Sequence, residues 1–361
     1  MRDAFALPAA ELATERTCLT RKQQIMSEFE GWNPSFVETN GIRMAVHEAG
    51  TPGDGPSLVF CHGFPELGFS WRNQARDLAK AGFHVLVPDQ RGYGLTDRPE
   101  EVEAYDLDNL NADLAGLLDA KGVEKAVFVG HDWGGVVVWG MALRHPDRVA
   151  GIIALNTPFT PRPPVEPITM MKEHLGEDMY VVWFQQRGPA DQAMAEDVRK
   201  TMSMLFKRPV ESSPEALGVF SKAPEEGKAS PLHLKAALAA YDAASDPRED
   251  ILPPEELDFY VETFERTGFT GGLNWYRNAT RNWENSEHLP NRIDVPSLMI
   301  TSELDPYLPP AAAEGMERFI DDLDRHFIKG CGHWTQQEKA EEVTQTIQEW
   351  MDRKFPEARR K

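Results

Sequence analysis

The stretch Val127-Phe128-Val129-Gly130-His131-Asp132-Trp133-Gly134-Gly135-Val136 governs how the rest of the chain is read. An apolar run ends at Gly130 and a helix-compatible run begins near Gly134. Between them stands one side chain capable of chemistry, Asp132. A sharp strand-to-helix turn imposes strained backbone on its central residue and brings neighbouring backbone close, so small residues must surround it. It also lifts the central side chain above the end of a sheet, beside a helix N-terminus whose dipole favours negative charge. A serine at this centre would need a base to become a nucleophile. An aspartate is ionised at neutral pH without help. It can attack an sp³ carbon and form an alkyl ester, which water then cleaves at the carbonyl of Asp132 itself. A lone Asp ahead of a helix is usually an N-cap; Gly130, Gly134, Gly135 and the partner residues below favour the nucleophile.

Working outward, the apolar runs Ser57–Cys61, Phe83–Val87, Ala126–Gly130 and Gly151–Leu155 read as strands alternating with helical stretches such as Leu107–Ala120. That pattern predicts a parallel sheet covered on both faces. Two β-rich runs, Phe36–Thr39 and Arg43–Glu48, precede it, followed by the turn Gly50-Thr51-Pro52-Gly53-Asp54-Gly55-Pro56. The alternation stops near Pro158. Residues 161–285 lack comparable strand runs and read as several helices, with loops at Pro163-Pro164, Pro189 and Pro253-Pro254. Strands return at Ser297–Thr301 and Arg325–Lys329, and an amphipathic helix, Glu338–Met351, closes the chain. The expected organisation is a sheet domain in two parts, 26–160 and 286–361, interrupted by a helical insertion at 161–285. Residues 1–25 form an extension of no clear role, with Met26 as an alternative start. No internal repeat or low-complexity tract is present.

The 361-residue composition, 41% hydrophobic and 27% charged, is that of a globular chain. Lys and Arg number 38 against 58 Asp and Glu, a formal charge of −20. That charge repels phosphate backbones and anionic membranes, so no nucleic-acid or membrane partner is expected. Cys18, Cys61 and Cys331 are too widely spaced for a disulfide framework or a CxxC metal site. No apolar run reaches the roughly 18 residues of a membrane helix. Arg2, Asp3, Glu11, Glu15 and Arg16 break any signal-like stretch at the start. The expectation is a cytoplasmic monomer or homodimer with no metal or organic cofactor.

Partners for Asp132 stand at the stations such a site requires. His62-Gly63-Phe64-Pro65-Glu66 follows the strand Ser57–Cys61, and a turn there would aim the Phe64 N–H at the nucleophile. The Trp133 N–H would be the second donor of an oxyanion hole. A site of this kind takes its partners in the chain order nucleophile, acid, base. After the strand Ser297–Thr301 the acid is Asp305, with Glu303 as its rival. The base is His333, in the loop Gly330-Cys331-Gly332-His333-Trp334. His333 would activate the hydrolytic water and Asp305 would orient and stabilise the imidazolium. The other histidines, His62 and His131 included, read as ordinary structural residues.

As a set, His62-Gly63-Phe64-Pro65-Glu66, Asp89-Gln90-Arg91-Gly92-Tyr93-Gly94, Gly130-His131-Asp132-Trp133-Gly134-Gly135 and Gly332-His333-Trp334 resemble the core signatures of the epoxide hydrolases of the α/β-hydrolase superfamily. The resemblance runs from about Phe36 to the C-terminal helix. It implies an α/β-hydrolase fold, a mostly parallel sheet flanked by helices, with an inserted helical cap. It also implies two cap tyrosines whose hydroxyls face the nucleophile. Asn274-Trp275-Tyr276-Arg277-Asn278 is similar to one such station and gives Tyr276; Met179-Tyr180-Val181-Val182-Trp183-Phe184-Gln185 is similar to the other and gives Tyr180. Tyr241 and Tyr260 are taken as packing residues. The chemistry explains the phenols: an opening epoxide releases an alkoxide too basic to depart unaided, and a phenol can hydrogen-bond it and supply a proton. The implied substrate is a small apolar or amphipathic epoxide, with water as co-substrate and a vicinal diol as product. The expected pocket is largely apolar, lined by Phe64, Trp71, Trp133 and Trp334.

Three alternatives share this framework. A haloalkane dehalogenase would use the same carboxylate, but its halide leaves without a proton, and that family usually places an amide donor such as Asn where this chain has Phe64. A fluoroacetate-type enzyme resembles a pattern with Arg where this chain has Trp133. A non-catalytic ligand-binding protein on the same fold is the other alternative; the presence of Asp132, Asp305 and His333 together counts against it.

Overall fold

A computed structural model describes residues 33–209 and 232–359; Cys18, Met26 and the N-terminal extension lie outside the described residues. The strands are β1 (Ser35–Thr39), β2 (Ile42–Ala49), β3 (Ser57–Cys61), β4 (Val85–Pro88), β5 (Ala126–His131), β6 (Val149–Leu155), β7 (Ser297–Ser302) and β8 (Leu323–Ile328). They form one eight-stranded sheet in the order β1-β2-β4-β3-β5-β6-β7-β8. The pairings of β2 with β1 and with β4 are antiparallel; all the others are parallel. This is the mostly parallel sheet expected of an α/β-hydrolase fold. Its central strands are mostly apolar because both faces are covered: every residue of β3, β5 and β7 is buried. Each large apolar side chain so placed contributes about 1.5–3 kcal/mol.

The covering helices are α1 (Arg72–Lys80), α2 (Leu107–Lys121), α3 (Trp133–Arg144) and, after the last strand, a short helix at Thr335–Glu338 followed by a long one at Ala340–Lys354. Helix α2 shows how clearly the local signals are written. Asp106 caps its start by accepting the Asn109 N–H, and Gly122 ends it at φ 65°, the left-handed conformation glycine tolerates best. Two predicted boundaries move. Phe83 does not begin β4, because its N–H bonds back to Leu78 O at the end of α1 (3.0 Å). The closing helix does not begin at Glu338, because Lys339 (φ −129°, ψ 46°) separates the two C-terminal helices.

Between β6 and β7 the described residues contain no strand. They form α4 (Pro167–Leu175), α5 (Tyr180–Phe184), α6 (Pro189–Ala195), α7 (Val198–Leu205), α8 (Leu234–Ala240), α9 (Pro254–Thr267), α10 (Thr270–Arg277) and α11 (Ala279–Asn285). This layer sits against the sheet through backbone-close contacts. The Trp275 indole donates to Arg91 O (3.1 Å). A side chain added at Gly271 would meet Gly92 O at 2.4 Å, so neither residue can be enlarged without separating the layers. Arg91 is fixed by buried hydrogen bonds to Asp113 (2.8 and 2.5 Å). The Asp89-to-Gly94 segment therefore serves as a seat for the helical layer. No helix among the described residues is long and apolar enough to cross a membrane.

Candidate active site

Asp132 is the single residue between β5 and α3 and has φ 53° and ψ −123°. Positive φ on a non-glycine residue stores strain and persists only where the surroundings enforce it. The surroundings here are packed backbone. A Cβ on Gly134 would meet Cys61 O at 2.0 Å, and one on Gly63 would meet the Asp132 Cβ at 2.5 Å. The turn after β3 then brings the Phe64 N–H to Asp132 Oδ1 (2.8 Å), and the Trp133 N–H bonds to the same carboxylate. These are the two donors expected. Burial raises the Asp132 carboxyl above its ordinary range, while His333, His131 and the Phe64 and Trp133 N–H groups pull the other way without cancelling it.

His333 Nε2 stands 3.8 Å from Asp132 Oδ2, and His333 Nδ1 is 2.8 Å from Asp305 Oδ2. Asp305 is fully buried and accepts the N–H groups of Tyr307 (2.8 Å) and Leu308 (3.0 Å) on its other oxygen. Burial works against its charge, but the imidazole and those N–H groups outweigh burial and hold the carboxyl below its usual value. Burial alone would also lower His333; the charge and hydrogen bond of Asp305, with Asp132 and Glu66 behind, raise it to about 9. Glu303, the rival acid, is turned away and accepts the Gly330 N–H (2.8 Å).

Tyr276 on α10 and Tyr180 on α5 face this group from the helical layer, with ring centroids 6.0 Å apart. Burial, then the Asp132 charge, raises both phenols well above their ordinary pKa, so both are protonated and able to donate. They share one pocket with Asp132, Phe64, Pro65, Phe184, Leu205, Leu234, Tyr307, His333 and Trp334, enclosing about 410 Å³ with its mouth included. Two expected lining residues are placed differently. Trp71 is fully buried in the core, its ring 5.0 Å from that of Phe60 on β3, because the whole turn Gly68–Trp71 packs inward. Trp133 is absent from the pocket lining; its ring lies 5.0 Å from that of Tyr276, edge-on, and its side chain donates a hydrogen bond to the Tyr276 phenol. Tyr260 packs between Phe206 (4.9 Å) and Phe69 (6.0 Å), and Tyr241 lies outside the pocket lining.

Sequence reasoning missed the supports. Asn156, directly after β6 at φ 64°, donates to Asp305 Oδ2 (2.5 Å) and His333 O (3.1 Å). The signal available was an Asn at a strand end, the residue that best tolerates positive φ after glycine. Glu338 accepts the N–H groups on both sides of His333, Gly332 (3.0 Å) and Trp334 (3.1 Å). His131, read as structural, bridges Glu66 Oε2 (2.9 Å) and His333 O (2.8 Å). Tyr307 lies edge-on to His333 at 5.0 Å, and burial lifts its phenol to about 12. No group of three or more His, Cys, Asp or Glu side chains is gathered as metal ligands among the described residues.

A family described as alpha/beta hydrolase fold matches residues 56–340. The chain is 45% identical over 321 residues to Epoxide hydrolase A of Mycobacterium tuberculosis (strain ATCC 25618 / H37Rv), covering 88% of this chain and 96% of that one. It is 39% identical over 320 residues to Bifunctional epoxide hydrolase 2 of Mus musculus, spanning 86% of this chain but only 54% of that longer one. In three dimensions it is similar to the crystal structure of Epoxide Hydrolase A from Mycobacterium thermoresistibile, with a TM-score of 0.78, 41% identity, and 88% and 98% of the two chains covered.

Proposed function

The chain belongs to the epoxide hydrolase family of the α/β-hydrolase superfamily, and on that premise we propose that it converts an apolar or amphipathic epoxide to a vicinal diol through an ester on Asp132. The observation that carries the reading is the pairing of a carboxylate nucleophile with two protonated phenols in one pocket. A halide would need no proton donor; an opening epoxide does.

The geometry divides the work between the two carboxylate oxygens. Oδ1 is held by the Phe64 N–H, so it remains the carbonyl oxygen of the ester. Oδ2, on the His333 side, attacks a ring carbon. The carbon–oxygen bond of the ring breaks, and the departing oxygen takes a proton from Tyr276 or Tyr180. Alkylation cancels the charge of Asp132, one of the groups that raise His333, and so frees the imidazole to act as a base. His333 takes a proton from water, and the hydroxide adds to the Asp132 carbonyl carbon. The resulting oxyanion forms on Oδ1 between the Phe64 and Trp133 N–H groups. Collapse expels the diol alkoxide, which takes the proton from His333, and the carboxylic acid left on Asp132 returns its proton to the phenolate. The sum is epoxide plus water to diol.

The test isolates the intermediate. His333→Gln mixed with styrene oxide should gain the mass of one epoxide on the peptide containing Asp132, while Asp132→Ala should gain none. An adduct elsewhere, or full turnover by either variant, overturns the reading.

A further inference from the structure

The two phenols ride on different helices, α10 and α5, so something must set their separation. The residue next to Tyr276 is placed to do it. Arg277 ends α10, and its side chain is only 4% exposed. Its Nε donates to Phe184 O (3.0 Å), and Nη2 to Gln186 O (3.1 Å) and Asp191 Oδ2 (2.5 Å). Its Nη1 donates to Asn274 Oδ1 (2.9 Å) and Asp191 Oδ1 (3.3 Å). Phe184 ends α5, the helix that Tyr180 begins, and carbonyls at a helix end lack partners within the helix. A buried cation there also meets the negative end of the helix dipole. Asp191, the third anchor, lies in the first turn of α6 and is itself fixed by the Gly188 N–H (2.9 Å). A reciprocal link runs the other way: Gln185 Nε2, just past α5, donates to Tyr276 O (3.0 Å) and to Val181 O (2.8 Å).

We propose that Arg277 is a positioning residue of the ring-opening step, holding α10 and α5 at the spacing that lets Tyr276 and Tyr180 reach the same departing oxygen. The proposal rests on the proton-donor reading of those tyrosines given above. Arg suits the task because its planar fork reaches carbonyl and carboxylate acceptors in fixed directions; a lysine offers one compact charge and cannot span them. Since catalysis is sensitive to displacements of an ångström or less, loosening this link should act on ring opening and leave the later hydrolysis alone. That step uses His333 and the Phe64 and Trp133 N–H groups, none of which Arg277 touches.

The experiment is single-turnover kinetics with styrene oxide on the full chain, following formation and decay of the Asp132 ester. Arg277→Lys should slow ester formation about 10- to 100-fold while ester decay stays within about twofold of the parent. In a Tyr180→Phe background the same change should cost clearly less than it does alone, because the spacing it protects has lost one partner. If Arg277→Lys does not fold, Gln185→Leu cuts the reciprocal link and is read in the same way. Equal slowing of formation and decay, or full additivity with Tyr180→Phe, assigns Arg277 a purely structural role and overturns the proposal. Ester formation at the parent rate in both variants does so too. A parent enzyme that forms no ester at all overturns the reading beneath and the proposal with it, so the two failures are told apart.

Discussion

The two halves of the site are held by different means. On the sheet side, Asp132, Asp305 and His333 stand at or just after strand ends, and main-chain groups fix them. Asp132 is locked by its elbow and the Phe64 N–H. Asp305 is held by the Tyr307 and Leu308 N–H groups, and the His333 loop by a carboxylate on its flanking N–H groups. On the helical side, Tyr276 and Tyr180 sit on short helices joined by side chains, Arg277 and Gln185 above all. The difference is one of anchor: the sheet side is fixed largely through main-chain groups at strand ends, and the helical side through side chains that reach from one helix to another. In the mechanism proposed above it also separates the chemistry: the sheet side would make and break the ester, and the helical side would protonate the leaving oxygen.

The sharpest way to break that division is at the nucleophile. Asp132→Ala should lose on the order of 10⁴-fold or more of turnover and form no ester; substantial diol production by a folded variant would dissolve the distinction between the halves. Next come the phenols. Tyr276→Phe and Tyr180→Phe should each slow ester formation on the order of 10²-fold, leaving ester decay untouched, and the double variant should be nearly inactive with an unchanged circular dichroism spectrum. Loss confined to ester decay would move the tyrosines to the other half-reaction. Glu338→Gln probes the sheet side. An amide cannot accept both flanking N–H groups as a carboxylate does, so ester decay should fall about tenfold while formation changes little.

The last two effects are smaller. His333 titrates at about 9 in the fold against an ordinary 6.5. The folded state therefore binds the proton more tightly, and the resulting stabilisation is full below about pH 6.5 and lost as pH rises through about 9. Denaturant unfolding of the parent should show stability falling across that window, by on the order of 1–3 kcal/mol. His333→Gln should flatten the slope there; an unchanged slope would show that other groups set it. Trp71→Phe should leave both half-reactions within about twofold, because Trp71 lies outside the pocket, and should register only as lost thermal stability. A large change in substrate preference would place it back in the wall.

This asymmetry explains what was legible in the sequence. The parallel sheet followed from apolar runs separated by helical stretches, and the strand-to-helix turn at Asp132 from glycines whose added side chains would strike backbone. Asp305 and His333 were found by chain order and lie within hydrogen-bond distance of one another. Tyr276 and Tyr180 came only from resemblance, since nothing within a few residues of either says which way its helix faces. Asn156 and Glu338 were missed because their partners are remote in sequence or are main-chain groups that carry no residue signature. Trp71 was misplaced because a tryptophan near a pocket motif and one in the core look alike in sequence.

Oxygen tracing decides whether Asp132 itself attacks the substrate. In one turnover with enzyme in excess, run in ¹⁸O-water, the proposed attack would pass an oxygen of Asp132 to the diol and leave water oxygen in the carboxylate. The first diol released should carry no solvent label, and the label should appear in the peptide containing Asp132. Solvent label in that first diol would show water adding straight to the epoxide, and would contradict the covalent mechanism even if the fold and the activity stood.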